Sequence, residues 1–207
     1  MRETFKQKIQ NETPEMHAKR IEEAFADYQI DFSLNEGQLG APLLDVGVHH
    51  GSFITFLRER LHNKGAYGVD YNEQKITGAG LIAADGGALP FADSTFDTVL
   101  ARNYMTMFFP DKTADKMIEE MLRVTKNGGV VMFSASTYAE NPDPDLQKLH
   151  AMSIEKGFGD PHQRSRDGYL HMEEHLASLE RKGYIVTRRA YTPSKKSERL
   201  IISIRKP

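Results

Sequence analysis

From Leu43 onward the chain alternates short apolar runs with helical stripes, and it ends on two strand-like runs set close together. The short runs are Leu43–Val48, Tyr67–Val69, Leu81–Ala84, Thr98–Ala101 and Val130–Ser134. Between them, Phe53, Ile54, Leu57 and Leu61 form one stripe at helical spacing. Ala114, Met117, Ile118, Met121 and Leu122 form another. Strands alternating with helices build a parallel sheet with helices on both faces. The tail departs from this rhythm. Met172, Leu176 and Leu179 mark a helix, with Gly183 as its C-terminal stop. Tyr184–Tyr191 and Arg199–Arg205 read as strands around the polar turn Thr192–Glu198, which is too short for a crossover helix, so they pair antiparallel. A parallel sheet closed by one antiparallel hairpin is a narrow topological class.

Upstream of the sheet, Thr13 and Pro14 have the form of a helix start, followed by Ala18, Ile21, Phe25 and Tyr28 at helical spacing. The Gly and Pro content of Asn35–Pro42 reads as a linker. The expected organisation is therefore an N-terminal helical segment and linker over 1–42, then one domain over 43–207. A chain of 207 residues is long enough for one proper core. The formal net charge of -2 gives no overall pull toward nucleic acid or an anionic membrane. With no cysteine, disulfides, thiolate metal sites and cysteine nucleophiles are excluded. The first residues are polar and lack an apolar stretch of signal-peptide length, and no run approaches about 18 apolar residues. A cytoplasmic protein without membrane contact is expected.

Leu43-Leu44-Asp45-Val46-Gly47-Val48-His49-His50-Gly51 is an apolar strand running into a tight turn with a helix after it. Glycine suits such a turn because the backbone must bend sharply and approach a ligand at the strand ends. The amides opening the next helix offer donors to an anionic group. The dinucleotide spacing G-x-G-x-x-G would need glycine at 47, 49 and 52, and two of the three fail. The spacing G-x-G-x-G needs 47, 49 and 51, and only His49 fails.

Two acids follow at the ends of the next strands. Asp70 closes Gly68-Val69-Asp70, 19 residues after Gly51, where a carboxylate commonly accepts from the two hydroxyls of a ribose. Asp85-Gly86-Gly87 follows the third strand. A carboxylate beside open amides can read an adenine edge, although Asp-Gly is also a common surface turn.

Taken in order, these segments resemble the class I S-adenosylmethionine-dependent methyltransferases. Leu44–Gly51 is similar to the family's first motif, and Gly68-Val69-Asp70 to its second-strand acid. Ala84-Asp85-Gly86-Gly87-Ala88-Leu89-Pro90-Phe91, followed by Asp93-Ser94-Thr95-Phe96-Asp97, resembles the adenine loop and the approach to the fourth strand. Met121-Leu122-Arg123-Val124-Thr125-Lys126-Asn127-Gly128-Gly129 resembles the helix and glycine turn before the fifth. The resemblance implies a Rossmann-like three-layer sandwich, with a seven-stranded, mostly parallel sheet and one antiparallel strand in the C-terminal hairpin. It implies S-adenosylmethionine as cofactor. Asp45 and the backbone of Gly47, Val48, His49 and Gly51 would hold the methionine half. Asp70, with Tyr71 beside it, would hold the ribose, and Asp85 and Gly86 the adenine. Arg102 and Asn103 would lie near the sulfonium and the acceptor.

His49 stands where the family has glycine, which leaves two readings. One is an active methyltransferase. The other is a non-catalytic relative that binds or regulates through an altered cofactor loop. In left-handed backbone a side chain at 49 costs roughly 1–2 kcal/mol. Methyl transfer chiefly needs acceptor, methyl and sulfur aligned, and a nitrogen or oxygen acceptor also needs a base. His150, His162 and His171 are the candidate bases, read as lying in the segment between the fifth strand and the last helix. Arg164 and Arg166 are candidates to meet an anionic substrate, and Asp145–Lys156 a candidate helix. Met105, Met107, Phe108 and Phe109 read as a packed wall. Adjacent His49 and His50 have no third ligand at useful spacing, so no metal site is expected. Ala101-Arg102-Asn103-Tyr104 lacks the N-P-P-Y signature of amino-methylating enzymes, which points to a small-molecule acceptor rather than nucleic acid.

Overall fold

The computed structural model describes residues 12–73, 76, 78–102, 113–137, 161–194 and 197–207. Helix α1 (Pro14–Phe32) begins as the sequence predicts, with the Thr13 side chain accepting from the Met16 amide and Pro14 in the first turn. It ends at Ser33, in left-handed conformation, whose amide returns to the Gln29 carbonyl. The stretch read as a linker contains the short helix α2 (Glu36–Gly40). Its cause is local: Asn35 and Gln38 form a reciprocal capping box that satisfies two otherwise orphaned amides. Polar residues flanking a glycine therefore make a helical turn where composition alone suggests irregular chain.

The remaining elements are β1 (Leu43–Val46), α3 (Ser52–Arg60), β2 (Ala66–Asp70), β3 (Leu81–Ala83), β4 (Phe96–Ala101), α4 (Thr113–Val124), β5 (Thr125–Thr137), α5 (Pro161–Arg181), β6 (Ile185–Ser194) and β7 (Ser197–Arg205). They form one seven-stranded sheet in the order β3-β2-β1-β4-β5-β7-β6. β1 lies parallel between β2 and β4, and β7 runs antiparallel to both β5 and β6. The order reverses beside β1, which opens a crevice at the carboxyl ends of the central strands.

Two layers of side chains close over the sheet, and the period of two along each strand decides which residue meets which layer. Leu44, Val46, Val99, Val131 and Phe133 pack with Met117, Ile118, Met121, Met172 and Leu176 of α4 and α5. Leu43, Leu100, Val130 and Met132 pack with Tyr28, Phe32, Phe53, Ile54 and Leu57 of α1 and α3. The α1–α3 contact is aromatic, with Phe25 stacked on Phe56 at 4.2 Å and Tyr28 on Phe53 at 3.9 Å between ring centroids.

β5 is longer than the apolar run Val130–Ser134 suggests, because it has partners on both sides. Thr125 pairs with Phe96 ahead of a register shift, and Ser134–Thr137 stay paired with Glu198–Ile201 of β7. Likewise β6 and β7 continue into the expected turn as far as the Ser194–Ser197 pair. The candidate helix at 145–156 and the Met105–Phe109 wall lie outside the described residues.

Candidate active site

The site is built on the turn between β1 and α3. The amides of Gly47 and Val48 both donate to the Val69 carbonyl, at 2.8 and 3.1 Å, which ties the turn to β2. Gly47, His49 and Gly51 all have positive φ, at 81°, 55° and 69°. The turn thus demands left-handed backbone at the position where histidine replaces glycine. At Gly51 space is short as well, since a Cβ there would lie 2.3 Å from Leu81 Cδ1. The His49 ring is exposed and packs edge-on against His50, with 3.7 Å between ring centroids.

Alternation along β1 turns Asp45 toward the α1–α3 layer, where it is 1% exposed. The Tyr28 hydroxyl donates to its Oδ2 at 2.6 Å. Its Oδ1 is buried and has no hydrogen-bond partner among the described residues. Burial pushes the Asp45 carboxyl up to about 7; the Tyr28 hydrogen bond and the Arg102 charge pull it back only partly, and Asp70 pushes the same way as burial. The Tyr28 phenol is raised well above its ordinary range, by burial first and then by the Asp45 charge.

Asp70, at the end of β2, is also buried. Its Oδ2 accepts from the His49 amide at 2.9 Å and its Oδ1 from the Asn72 amide at 3.0 Å. Because the His49 contact is through backbone, the missing glycine leaves it intact. Each carboxylate oxygen keeps a further acceptor lone pair. Tyr71 is 74% exposed and lines a crevice of about 520 Å³ with Asn72, Glu73, Ala83, Ala84 and Asp85. Asp85 Oδ1 accepts from the Gly87 amide at 2.9 Å, and Gly86 is buried behind it. Arg123 of α4 anchors the chain leaving this loop, donating to the carbonyls of Leu89 and Phe91 and pairing with Asp93 and Glu120.

Arg102, just past β4, turns back over α1. Its Nε lies 2.5 Å from Asp31 Oδ2, its Nη2 lies 3.1 Å from Asp27, and its guanidinium sits 5.5 Å from the Tyr28 ring centroid. Asp31 is 1% exposed and also accepts from Arg199 Nη1, at 2.8 Å on each oxygen. Arg189 donates to the Asp31 carbonyl. The C-terminal end of α1 is thereby fastened to β4, β6 and β7.

Asp45, Gly47, Val48, His49, Gly51, Asp70 and Arg102 thus gather at one end of the sheet, with Tyr71, Asp85 and Gly86 around the adjoining crevice. Of the candidate bases, His171 does not join them. His171 lies on α5 with Nε2 2.9 Å from Asp115 of α4, on the opposite face of the sheet from α1. His162 is in the first turn of α5. Its side chain, with those of Arg164 and Arg166, lies outside the described residues, as do Asn103 and His150 altogether. No group of three His, Asp or Glu able to hold a metal occurs among the described residues. Sequence reasoning missed Tyr28 as a site residue and missed Asp31 entirely. The usable signal is a carboxylate three residues after Tyr28 on the same, otherwise apolar, helix face.

Residues 44–133 match the family model described as a methyltransferase domain. An uncharacterized methyltransferase of Mycobacterium tuberculosis is 34% identical over 113 residues, covering 50% of this chain and 42% of that protein. Over residues 44–133 the chain is thus similar to a methyltransferase domain. A ubiquinone/menaquinone biosynthesis C-methyltransferase, UbiE, of Xanthomonas campestris is 30% identical over 154 residues, covering 66% of this chain and 59% of that protein. The chain thus spans about half the length of the curated relatives it matches. Haemonchus contortus phosphoethanolamine N-methyltransferase 2, solved with phosphomonomethylethanolamine and S-adenosylhomocysteine, superposes on this chain with a TM-score of 0.61 at 14% identity. That match covers 90% of this chain and 52% of the other.

The residues of the domain fit the cofactor of its family. A buried carboxylate oxygen lacking a donor suits the amino group of a methionine half, and the turn beside it carries no Cβ at 47 or 51. Asp70 keeps acceptor capacity for a ribose diol, and the neighbouring crevice ends on Asp85.

Proposed function

We propose that this chain is an S-adenosylmethionine-dependent methyltransferase acting on a small-molecule acceptor. One observation carries the reading: Asp45, Asp70 and Asp85 follow one another along the carboxyl ends of β1, β2 and β3, around a turn of left-handed backbone. In this reading Asp45 and the backbone of 47–51 take the methionine half, Asp70 with Tyr71 the ribose, and Asp85 with the Gly86 amide the adenine. By the resemblance, Arg102 and Asn103 would lie near the reacting end. Once bound, the cofactor supplies a methyl group activated by a sulfonium. The chain's own work is alignment, together with the exclusion of water by α1 lying over Asp45. The net charge of -2 and the small molecules for which the similar proteins are named support a small acceptor over nucleic acid. No helix among the described residues is long and apolar enough to cross a membrane. We take 43–207 as the methyltransferase domain and 1–42 as an N-terminal helical segment and linker, whose helix α1 brings Tyr28 to Asp45.

The non-catalytic alternative rests on His49. The backbone nature of its bond to Asp70 speaks against it, because the turn makes that bond without using the imidazole. Titration calorimetry with S-adenosylmethionine tests the reading. The wild-type protein is expected to bind, and Asp70→Ala to bind at least tenfold more weakly while still folded. Absence of heat at millimolar ligand, or unchanged affinity in Asp70→Ala, refutes the assignment. Restoration of lost binding by His49→Gly would favour the alternative.

A further inference from the structure

Helix α1 brings a single hydroxyl down to the floor of the site. Tyr28 is 7% exposed, its ring is stacked on Phe53 with 7° between planes, and Arg102 lies over it. These contacts leave the ring little freedom, so the position of its hydroxyl is set by packing. That hydroxyl takes Asp45 Oδ2, while Oδ1 is buried and has no donor among the described residues. A buried acceptor left unsatisfied is costly, and native interiors rarely keep one without a use. The carboxylate torsion is broad and two-fold on its own, so one short hydrogen bond to one oxygen decides where the other is aimed.

We infer that Tyr28 is a positioning residue for the cofactor: by holding one oxygen of Asp45 it presents the other to the ammonium group of the methionine half. The inference rests on the methyltransferase reading and adds a reader from the N-terminal segment, outside the matched domain. The groups facing Asp45 are Tyr28 from α1, Arg102 from the end of β4 with Asp31 behind it, and Asp70 from β2. Burial leaves the Asp45 carboxyl about half protonated at neutral pH, and an arriving ammonium favours the ionised form. Binding therefore releases a proton from Asp45 to solvent. The Tyr28 hydroxyl donates to the ionised form and makes that release easier.

The experiment is calorimetric titration of the full chain with S-adenosylhomocysteine from pH 6 to pH 8.5, in two buffers of different ionisation heat. Wild type is expected to bind more tightly as pH rises and to release about half a proton at pH 7. Tyr28→Phe keeps the stacked ring and removes the hydroxyl. Its midpoint is expected to move up by about one pH unit, giving about tenfold weaker binding at pH 6 and less than about threefold at pH 8.5. Asp45→Asn is expected to bind weakly with a flat profile. Tyr28→Phe behaving as wild type, or weakened by one constant factor at every pH, overturns the inference and leaves the methyltransferase reading standing. A wild-type titration that releases no proton anywhere from pH 6 to pH 8.5 overturns it without any variant. No wild-type binding at millimolar ligand removes the methyltransferase reading, and the role of Tyr28 with it.

Discussion

Asp31→Asn removes one charge while nearly preserving shape, and it strikes the point that fastens α1 over the site. In the wild type the Asp31 carboxylate is 1% exposed and meets Arg102 and Arg199 at 2.5 and 2.8 Å. Breaking a fully buried pair by neutralising one partner costs about 3–5 kcal/mol, because the remaining charge stays desolvated. Here the two guanidiniums keep 21% and 19% of their side-chain exposure, so part of that cost is recovered from water. The lower end, about 3 kcal/mol, is the expected loss. The asparagine amide worsens matters, since its NH2 faces guanidinium donors and only its oxygen can accept. For a chain of this size urea unfolding has a slope near 2.5 kcal/mol per molar, so the midpoint should fall by about 1.2 M at constant slope. The assay is equilibrium urea unfolding followed by circular dichroism at pH 7. A loss below about 1 kcal/mol would refute the reasoning, because it would mean that Asp31 is solvated and that α1 is held by apolar packing alone.

The remaining predictions concern the turn and Asp45. His49→Gly relieves about 1–2 kcal/mol of left-handed strain and loses about 0.5–1 kcal/mol to unfolded-chain entropy. A net stabilisation of about 0.5 kcal/mol in urea is expected, and a loss above about 1 kcal/mol would assign the His49–His50 ring contact a structural role. The folded Asp45 carboxyl, near 7, lies above its unfolded value near 3.9, so its contribution is fully present below about pH 4 and is lost as pH rises to 7. Wild-type stability relative to Asp45→Asn should therefore fall by on the order of 4 kcal/mol over that window in cofactor-free protein. A flat difference between pH 4 and pH 7 would contradict the burial of this carboxyl.

Much of the fold was legible because its determinants are local. Leu43–Val46 and Thr98–Ala101 are runs that only a doubly covered strand can bury, and Met117, Ile118 and Met121 lie on one helix face. Thr13 and Pro14 predicted the start of α1, and the shortness of the last connection predicted antiparallel pairing of β6 and β7. Asp70 and Asp85 could be singled out because strand-end positions follow from strand length. The helical turn at 36–40 was misread because Gly37 and Gly40 weighed more in composition than the Asn35–Gln38 capping pair.

The sequence by itself determined the alternation of elements, the tight glycine turn after β1 and the acids at the strand ends, since backbone sterics and side-chain periodicity act over a few residues. Only the tertiary structure decided that Tyr28 would reach Asp45, and that Asp31 would meet Arg102 and Arg199, partners 71 and 168 residues away. Those meetings depend on how α1 crosses the sheet. That crossing is set by aromatic packing of Phe25 and Tyr28 on α3, a long-range fit that no local pattern encodes.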